Sequence, residues 1–470
     1  MYNMNRPNIL FILTDDQRFD TIHALGNDQI QTPNLDELCQ HGMAFTNAHI
    51  PSGTVGAVCM PSRAMLNTGR TLFHLCDNGA QIPATHKTMP ETFRSNGYKT
   101  YSTGKWHNGT ESYARSFTAG DEIFFGGMWD HWNVPTYDFD PAGKYEQTSQ
   151  ACMGAFYSNQ TIINRANHIN LGIHSTDLFA QKALEYLDTY NCVDPFYMYV
   201  AFMAPHDPRT MPEKFQNMYK AEDIELPPNF AGQHFDFGIY QCRDEKLEAY
   251  PRDSMKVRQH IADYYAMISH LDWRIGQLIE KLKEIGAYEN TIIVFAGDNG
   301  LSIGQHGLMG KQNCYEHSIR VPLIMCGPGI PQGQRSDSFV YLLDIFPTLC
   351  NLAGISCPDS VEGIDFSPIL KNPHARIRDT LYAAYADKVR MVKDLRYKLL
   401  EYRFLDVDNK TVHKYSQLFD LQLDPWETCN LICQKDMQDT VSSLRAKLLQ
   451  YCDAWDEMNH PIAKKFWDLY

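Results

Sequence analysis

The sequence predicts an α/β protein: a large, mostly parallel sheet covered by helices on both faces, then a smaller C-terminal α+β lobe of antiparallel sheet plus helix. Three observations carry this. The segments Asn8–Thr14, Pro195–Met203 and Thr291–Ala296 are largely apolar along their length, the texture of strands buried on both faces. Helical patterns fall between them, the alternation that builds a parallel sheet. After about Arg376 the pattern changes to alternating segments, Met391–Tyr402 and Gln417–Leu423, closed by a helix at Asp439–Asp453. A chain of 470 residues has room for two lobes, placed at 1–375 and 376–470.

Asn8–Thr14 is the first strand. It ends in Asp15-Asp16, and open α/β sheets place their sites at such strand ends. Thr32 is a candidate N-cap, with Pro33 at the first helical position. Met89–Asn96 is a helix stopped by Gly97, and Tyr98–Thr103 a strand running into Gly104-Lys105-Trp106-His107. Residues 108–170 are rich in Gly, Asn, Asp and aromatics with little periodicity. They read as a long surface excursion that shapes a pocket. Ser175–Tyr190 is an amphipathic helix, and Pro195–Met203 leads into Ala204-Pro205-His206-Asp207-Pro208. Ser254–Ile285 is a long helix, and Thr291–Ala296 ends in Gly297-Asp298-Asn299-Gly300. Val321–Cys326 is a further strand and Leu342–Ala353 a further helix.

Composition narrows the function. Apolar residues at 44% and charged residues at 21% exclude disorder, collagen and a pure coiled coil. Lys and Arg number 42 against 56 Asp and Glu, a net charge of −14, which argues against a nucleic-acid binder. An acidic protein that handles an anion must gather its positive charge locally. No run reaches the ~18 apolar residues of a membrane span. The first residues carry no basic segment followed by an apolar one, so the expected location is cytoplasmic; a trimmed leader would make it periplasmic or secreted. Thirteen cysteines without paired spacing favour free buried thiols over a disulfide framework.

Four strand ends carry polar clusters, and such ends converge at one edge of a parallel sheet. Asp15-Asp16 is either a turn pair or half of an oxygen cage for a hard divalent cation. Asp298-Asn299, a turn signal alone, would complete that cage. Few His or Cys residues adjoin these positions, so calcium or magnesium is favoured over zinc. Cys59 opens a predicted helix with Pro61 in its first turn, where free N–H groups attract an anion. Arg63 and Arg70 add positive charge, and the thiol pKa would be lowered; the plainer reading is a small buried apolar residue. His107, His206, Lys105 and Lys311, each taken alone, read as ordinary surface or hydrogen-bonded residues.

Cys59-x-Pro61-Ser62-Arg63 followed by Thr68-Gly69-Arg70 resembles the signature of the type I, formylglycine-dependent sulfatases of the alkaline phosphatase superfamily. Further blocks of that family follow in order: Pro7–Phe11 with Asp15-Asp16-Gln17, Gly104-Lys105-Trp106-His107, Pro205-His206 and Gly297-Asp298-Asn299-Gly300. Then come Gly307-Leu308-Met309-Gly310-Lys311, Arg320-Val321-Pro322-Leu323, and Leu418-Phe419-Asp420-Leu421 with Asp424-Pro425. The resemblance covers nearly the whole chain. It implies an alkaline-phosphatase-like fold and a sulfuric ester hydrolase. It implies that a maturation enzyme oxidises Cys59 to Cα-formylglycine. Asp15, Asp16, Asp298 and Asn299 would bind one calcium ion, with the modified Cys59 completing its shell and attacking sulfur. Arg63 would hold the aldehyde hydrate, and Lys105 and Lys311 the sulfate oxygens. His107 would assist formylglycine turnover and His206 would protonate the leaving alcohol. Asn67 departs from the family pattern, where an apolar residue is expected.

The resemblance further implies a sulfated carbohydrate as substrate, a glycosaminoglycan or other polysaccharide fragment. The rivals are a phosphonate or phosphate diester hydrolase on the same scaffold, a small-molecule sulfatase of the arylsulfatase or choline-sulfatase type, and a binding protein that keeps the fold. His174, Arg209 and His306 lie beside the catalytic blocks and are candidate contacts to the alcohol. Met128–Trp132 offers either a sugar-stacking surface or a satellite core. Asn108, Asn159 and Asn409 match the glycosylation sequon, as chance alone would produce.

Overall fold

The computed structural model describes residues 6–152, 158–191, 193–405 and 411–470. Among these described residues, eight strands form the central sheet. They are β1 (Asn8–Thr14), β2 (Gly42–Phe45), β3 (Lys99–Lys105), β4 (Ala119–Phe124), β5 (Phe196–Ala201), β6 (Thr291–Gly297), β7 (Leu323–Cys326) and β8 (Gln334–Ser336). Their order is β8-β2-β7-β6-β1-β5-β3-β4. All but β7 share one direction.

Register explains why distant segments meet. Leu13 of β1 pairs with Ala201 of β5 and Ala296 of β6. The turns that follow these strands therefore open side by side, and they carry Asp15, His206 and Asp298.

The apolar runs are buried because helices cover both faces. Ile9, Phe11 and Leu13 share a core with Met65 and Leu66 of the helix α2 (Cys59–Thr68) and Phe346 of α5 (Ile345–Leu352). Leu10 and Ile12 face the other way, onto Leu35 of α1 (Pro33–His41), Phe179 of α3 (Ser175–Asp188) and Leu271 of α4 (Ser254–Glu284). Each such side chain contributes about 1.5–3 kcal/mol on burial.

A second sheet holds β9 (Leu381–Tyr385), β10 (Val389–Lys393), β11 (Tyr397–Leu405) and β12 (Val412–Asp420), all antiparallel, with α6 (Gln438–Ala454) against it. The predicted run Met391–Tyr402 is in fact two strands. Asp394 Oδ1 accepts from the N–H groups of Arg396 (2.8 Å) and Tyr397 (2.7 Å) and turns the chain there. β9 also pairs with the short strand Ser52–Gly53. Val392, Leu399 and Leu418 belong to the same core as Phe11, so the apolar interior runs from one sheet into the other.

Three expectations need correction. Residues 108–170 are not a featureless excursion: Ala119–Phe124 is the edge strand of the central sheet. Its polar residues mask the strand pattern because an edge strand meets solvent. Thr32 does not cap α1 with its side chain. Asp272 of α4 does so instead, accepting from Asn34 N–H (3.2 Å) and Leu35 N–H (2.7 Å). Cys76, Cys357, Cys429 and Cys433 are exposed rather than buried. Among the described residues, no helix is long and apolar enough to cross a membrane.

Candidate active site

The ends of β1, β5 and β6 are tied together by backbone hydrogen bonds. Asp15 N–H donates to Ala204 O (3.1 Å) and Asp298 N–H to Thr14 O (2.9 Å). Asp16 sits in the left-handed region at φ 64°, and its N–H donates to Asp298 Oδ1 (3.1 Å). Gly104 lets β3 run close to β5: a Cβ there would stand 2.0 Å from Ala201 O.

Cys59 is the first residue of α2, and Arg63 lies one turn further on the same face. Arg63 Nε donates to Asp298 Oδ2 (2.7 Å) and Nη1 to Lys105 O (2.7 Å). Lys105 Nζ pairs with Asp15 Oδ2 and lies 3.4 Å from Cys59 Sγ. His107 Nδ1 lies 3.6 Å from the same sulfur. Lys311 Nζ donates to Asp16 Oδ1 at 2.5 Å. His206 Nε2 lies 3.6 Å from Asp16 Oδ2, while its Nδ1–H donates to Asp207 O (2.8 Å). Ten positions of the predicted site are therefore one constellation: Asp15, Asp16, Cys59, Arg63, Lys105, His107, His206, Asp298, Asn299 and Lys311.

Whether these residues fit a cation can be judged from their oxygens. Asp15 Oδ1, Asp16 Oδ2 and Asn299 Oδ1 are buried and have no hydrogen-bond partner among the described residues. The lysines occupy the other oxygens of both carboxylates. An unmet buried acceptor costs ~1–3 kcal/mol, more when charged. Three such oxygens from two strand ends fit a hard cation with oxygen ligands.

Burial pushes the Asp15 carboxyl up, but Lys105, His206, Arg63 and Lys311 outweigh it and hold it well below the usual carboxylate range. Burial and the Asp15 charge push Asp298 up to about 6. Burial, with Lys105 and Arg63, holds the His107 pKa well down, which keeps the imidazole neutral. Lys311 is buried, yet Asp16 raises its pKa and keeps it charged. Cys59 departs from expectation: burial raises its thiol pKa despite Lys105 and Lys311, so the unmodified thiol is a poor nucleophile.

Other sequence candidates lie elsewhere. Arg70 follows the far end of α2 and is paired with Glu362 (3.1 Å), so it adds no charge at Cys59. His174 is buried with both nitrogens engaged: Nδ1 accepts from Thr176 N–H (3.3 Å) and Nε2–H donates to Thr210 O (3.0 Å). It is a helix cap, not a substrate contact. His306 stacks on Tyr315 (centroids 4.0 Å apart) and groups with His317 and Glu427 rather than with the strand-end carboxylates. Trp129 packs on the core and Trp132 lies edge-on to His174, which favours the satellite core over a stacking surface. Asn108 is buried and donates to Met60 O (2.9 Å) and Gly79 O (2.7 Å), so it is not a glycan acceptor. Asn159 is exposed, and Asn409 lies outside the described residues. Asn67 is accommodated in α2 by donating to Arg63 O (2.9 Å).

Sequence reasoning missed His131 and Tyr264. His131 Nε2–H donates to His206 O (2.9 Å), and its Nδ1 accepts from the Ser175 hydroxyl (2.7 Å). The Tyr264 hydroxyl donates to Asp16 O (2.6 Å). Neither position has a local sequence signal, since both act on backbone carbonyls of distant turns.

A model of the sulfatase family matches residues 7–355, and a model of the N-sulphoglucosamine sulphohydrolase C-terminal region matches residues 304–454. The ulvan-active sulfatase of Formosa agariphila is 29% identical over 458 residues, spanning 94% of this chain and 80% of that protein. The N-acetylglucosamine-6-O-sulfatase of Bacteroides thetaiotaomicron is 26% identical over 518 residues, spanning 95% and 87%. A solved structure in complex with its substrate D-glucosamine-2-N,6-O-disulfate superposes with a TM-score of 0.73 at 22% identity, over 97% of this chain and 99% of that one. The alkaline-phosphatase-like fold and the family match over most of the chain lead to one conclusion: this protein belongs to the sulfatase family, the hydrolases of sulfuric esters.

Proposed function

We propose that the protein hydrolyses a sulfate monoester on a carbohydrate, with oxidised Cys59 as nucleophile and one calcium ion held by Asp15, Asp16, Asp298 and Asn299. One observation carries this reading: Cys59 Sγ lies 3.4 Å from Lys105 Nζ, and it groups with Asp15 and Asp298 beside the unmet oxygens. When present, calcium supplies a Lewis acid, and formylglycine supplies as its hydrate one hydroxyl to attack and a second to release sulfate.

The chain's own residues supply the remainder. Lys105 and Lys311 place fixed donors where charge develops on the sulfate oxygens, which is often the largest catalytic term. Arg63 anchors Asp298 and the Lys105 carbonyl, holding α2 against two strand ends. His206 commits Nδ1–H to Asp207 O, so Nε2 is the atom that carries a proton to the leaving alcohol. Neutral His107 presents Nδ1 to position 59, where it can take a proton from a hydroxyl on that side chain.

The sugar is supported by the relatives, which are named for ulvan and N-acetylglucosamine sulfates. Cys59 is 2% exposed, so a maturation enzyme would have to reach it before the chain folds. Two measurements test the reading. Intact mass should show a loss of about 18 Da at Cys59, the difference between cysteine and formylglycine. Turnover of 4-nitrophenyl sulfate should exceed that of a phenyl phosphonate ester, and the reverse order would favour the phosphonate hydrolase.

A further inference from the structure

We infer that Arg209 recognises a second oxyanion, a carboxylate or a further sulfate, on the sugar that bears the scissile ester. This rests on the sulfatase reading above and adds the charge class of the substrate. Arg209 stands three residues past His206 in the turn after β5. Its Nη1 donates to His260 Nδ1 (3.1 Å). Its Nε and Nη2 are buried and have no hydrogen-bond partner among the described residues. These two nitrogens form one edge of the planar guanidinium. That edge presents two parallel N–H bonds and matches a carboxylate or sulfate two-to-two. Elsewhere in the chain the same edge is used: Arg396 Nε and Nη2 both hold Asp420 Oδ2, at 2.9 and 2.7 Å.

The nearby carboxylates are otherwise engaged. Asp207 is gripped by Arg243 through both oxygens, one at 3.1 Å. Asp263 accepts from Gln259 Nε2 (2.9 Å). His260 turns its second nitrogen to Glu248 (3.5 Å), and burial keeps its imidazole pKa low, so it is a neutral partner. Burial also pulls the Arg209 pKa down, against the opposing fields of Asp207, Tyr264 and Asp16. His260 stands one turn of α4 before Tyr264, whose hydroxyl donates to Asp16 O (2.6 Å), so the fork lies on the flank of the strand-end cluster that holds Asp16 and His206. A guanidinium edge buried without a partner is costly unless an anion meets it. A substrate that brings a second anion gains affinity, and a singly charged monosulfate does not.

The test uses the mature full-length enzyme and its Arg209→Ala and Arg209→Lys variants. Three substrates are compared: a monosulfate of an otherwise neutral sugar, the same sugar with a second sulfate, and the uronic acid of that sugar carrying the same single sulfate. The wild type should prefer at least one of the two doubly anionic sugars, and which one identifies the oxyanion. Arg209→Ala should lose ~10–100-fold more kcat/KM on that sugar than on the singly charged one, from the loss of a charge-assisted bidentate contact. Arg209→Lys, which keeps charge but not the fork, should recover only part of the loss. Equal losses on all three sugars, or no wild-type preference, would overturn the inference. Calorimetric binding of the same sugars to Cys59→Ala, with and without Arg209→Ala, needs no turnover. Failure to hydrolyse any sulfate ester sinks the sulfatase reading, whereas equal binding of singly and doubly anionic sugars sinks the Arg209 assignment.

Discussion

Asp16 Oδ2 lies 3.6 Å from His206 Nε2. The other Asp16 oxygen is held by Lys311 at 2.5 Å. A single carboxylate thus joins the proposed calcium cage, the lysine proposed to hold sulfate and the proposed general acid. This contact requires β1 and β5 to be adjacent and in register, because Asp16 and His206 follow those two strands.

The acid role can be separated from simple packing by changing the leaving group. His206→Ala should lower kcat/KM on sugar sulfates by ~10²–10³-fold, within the usual range for a positioned acid. On 4-nitrophenyl sulfate the loss should be much smaller, because a nitrophenolate leaves without a proton. Equal losses on both would remove His206 from that role.

His131 should show the same bias at smaller scale. It holds the backbone carbonyl of His206, not its imidazole, so it is a positioning residue. His131→Ala should cost ~10-fold on sugar sulfates, the value of one aligned hydrogen bond, and less on the aryl ester. A drop in Tm with no leaving-group bias would reduce His131 to a packing role.

Much of this site is legible in the sequence, for a physical reason. β1, β5 and β6 are apolar runs that end abruptly in polar clusters, and a parallel sheet brings such ends together. Asp15, His206 and Asp298 can be gathered on that ground alone. The Cys59 pKa cannot be read the same way, because the burial that raises it comes from segments far away in the chain. His131 is hidden for a similar reason. It lies in a stretch without periodicity, and its partner is a backbone carbonyl. Arg70 misled because adjacency in a motif is not adjacency in space: α2 separates it from Cys59 by a helix length.

Calcium removal gives a third test. Asp15 Oδ1, Asp16 Oδ2 and Asn299 Oδ1 have no hydrogen-bond partner among the described residues, so an ion that meets them would stabilise the folded state. At a calcium concentration 100-fold above Kd the gain is about 2.7 kcal/mol. Chelation should therefore lower activity and Tm together, and added calcium should restore both. A chelated enzyme with unchanged Tm and activity would leave those oxygens without the proposed ion.

The far end of α2 offers a stability test independent of catalysis. Glu362 Oε2 accepts from Thr71 N–H (2.8 Å) and the Thr71 hydroxyl (2.8 Å). Glu362 Oε1 lies 2.7 Å from His74 Nδ1 and 3.1 Å from Arg70. Burial pushes its pKa up, but His74 and Thr71 together bring it down to about 2 from an ordinary 4.5. A carboxyl whose folded pKa lies below its unfolded one contributes stability above the unfolded value, and that contribution fades as pH falls toward the folded value. The contribution is present above about pH 4.5 and lost near pH 2. Its side chain is 27% exposed, and solvent screening reduces the effect to about 1–2 kcal/mol. Glu362→Gln should lower unfolding stability by that amount at neutral pH, and the gap to wild type should close as the pH is lowered from 5 toward 2. A gap of constant size across that range would show that hydrogen-bond geometry, not the Glu362 charge, fastens this loop to the end of α2.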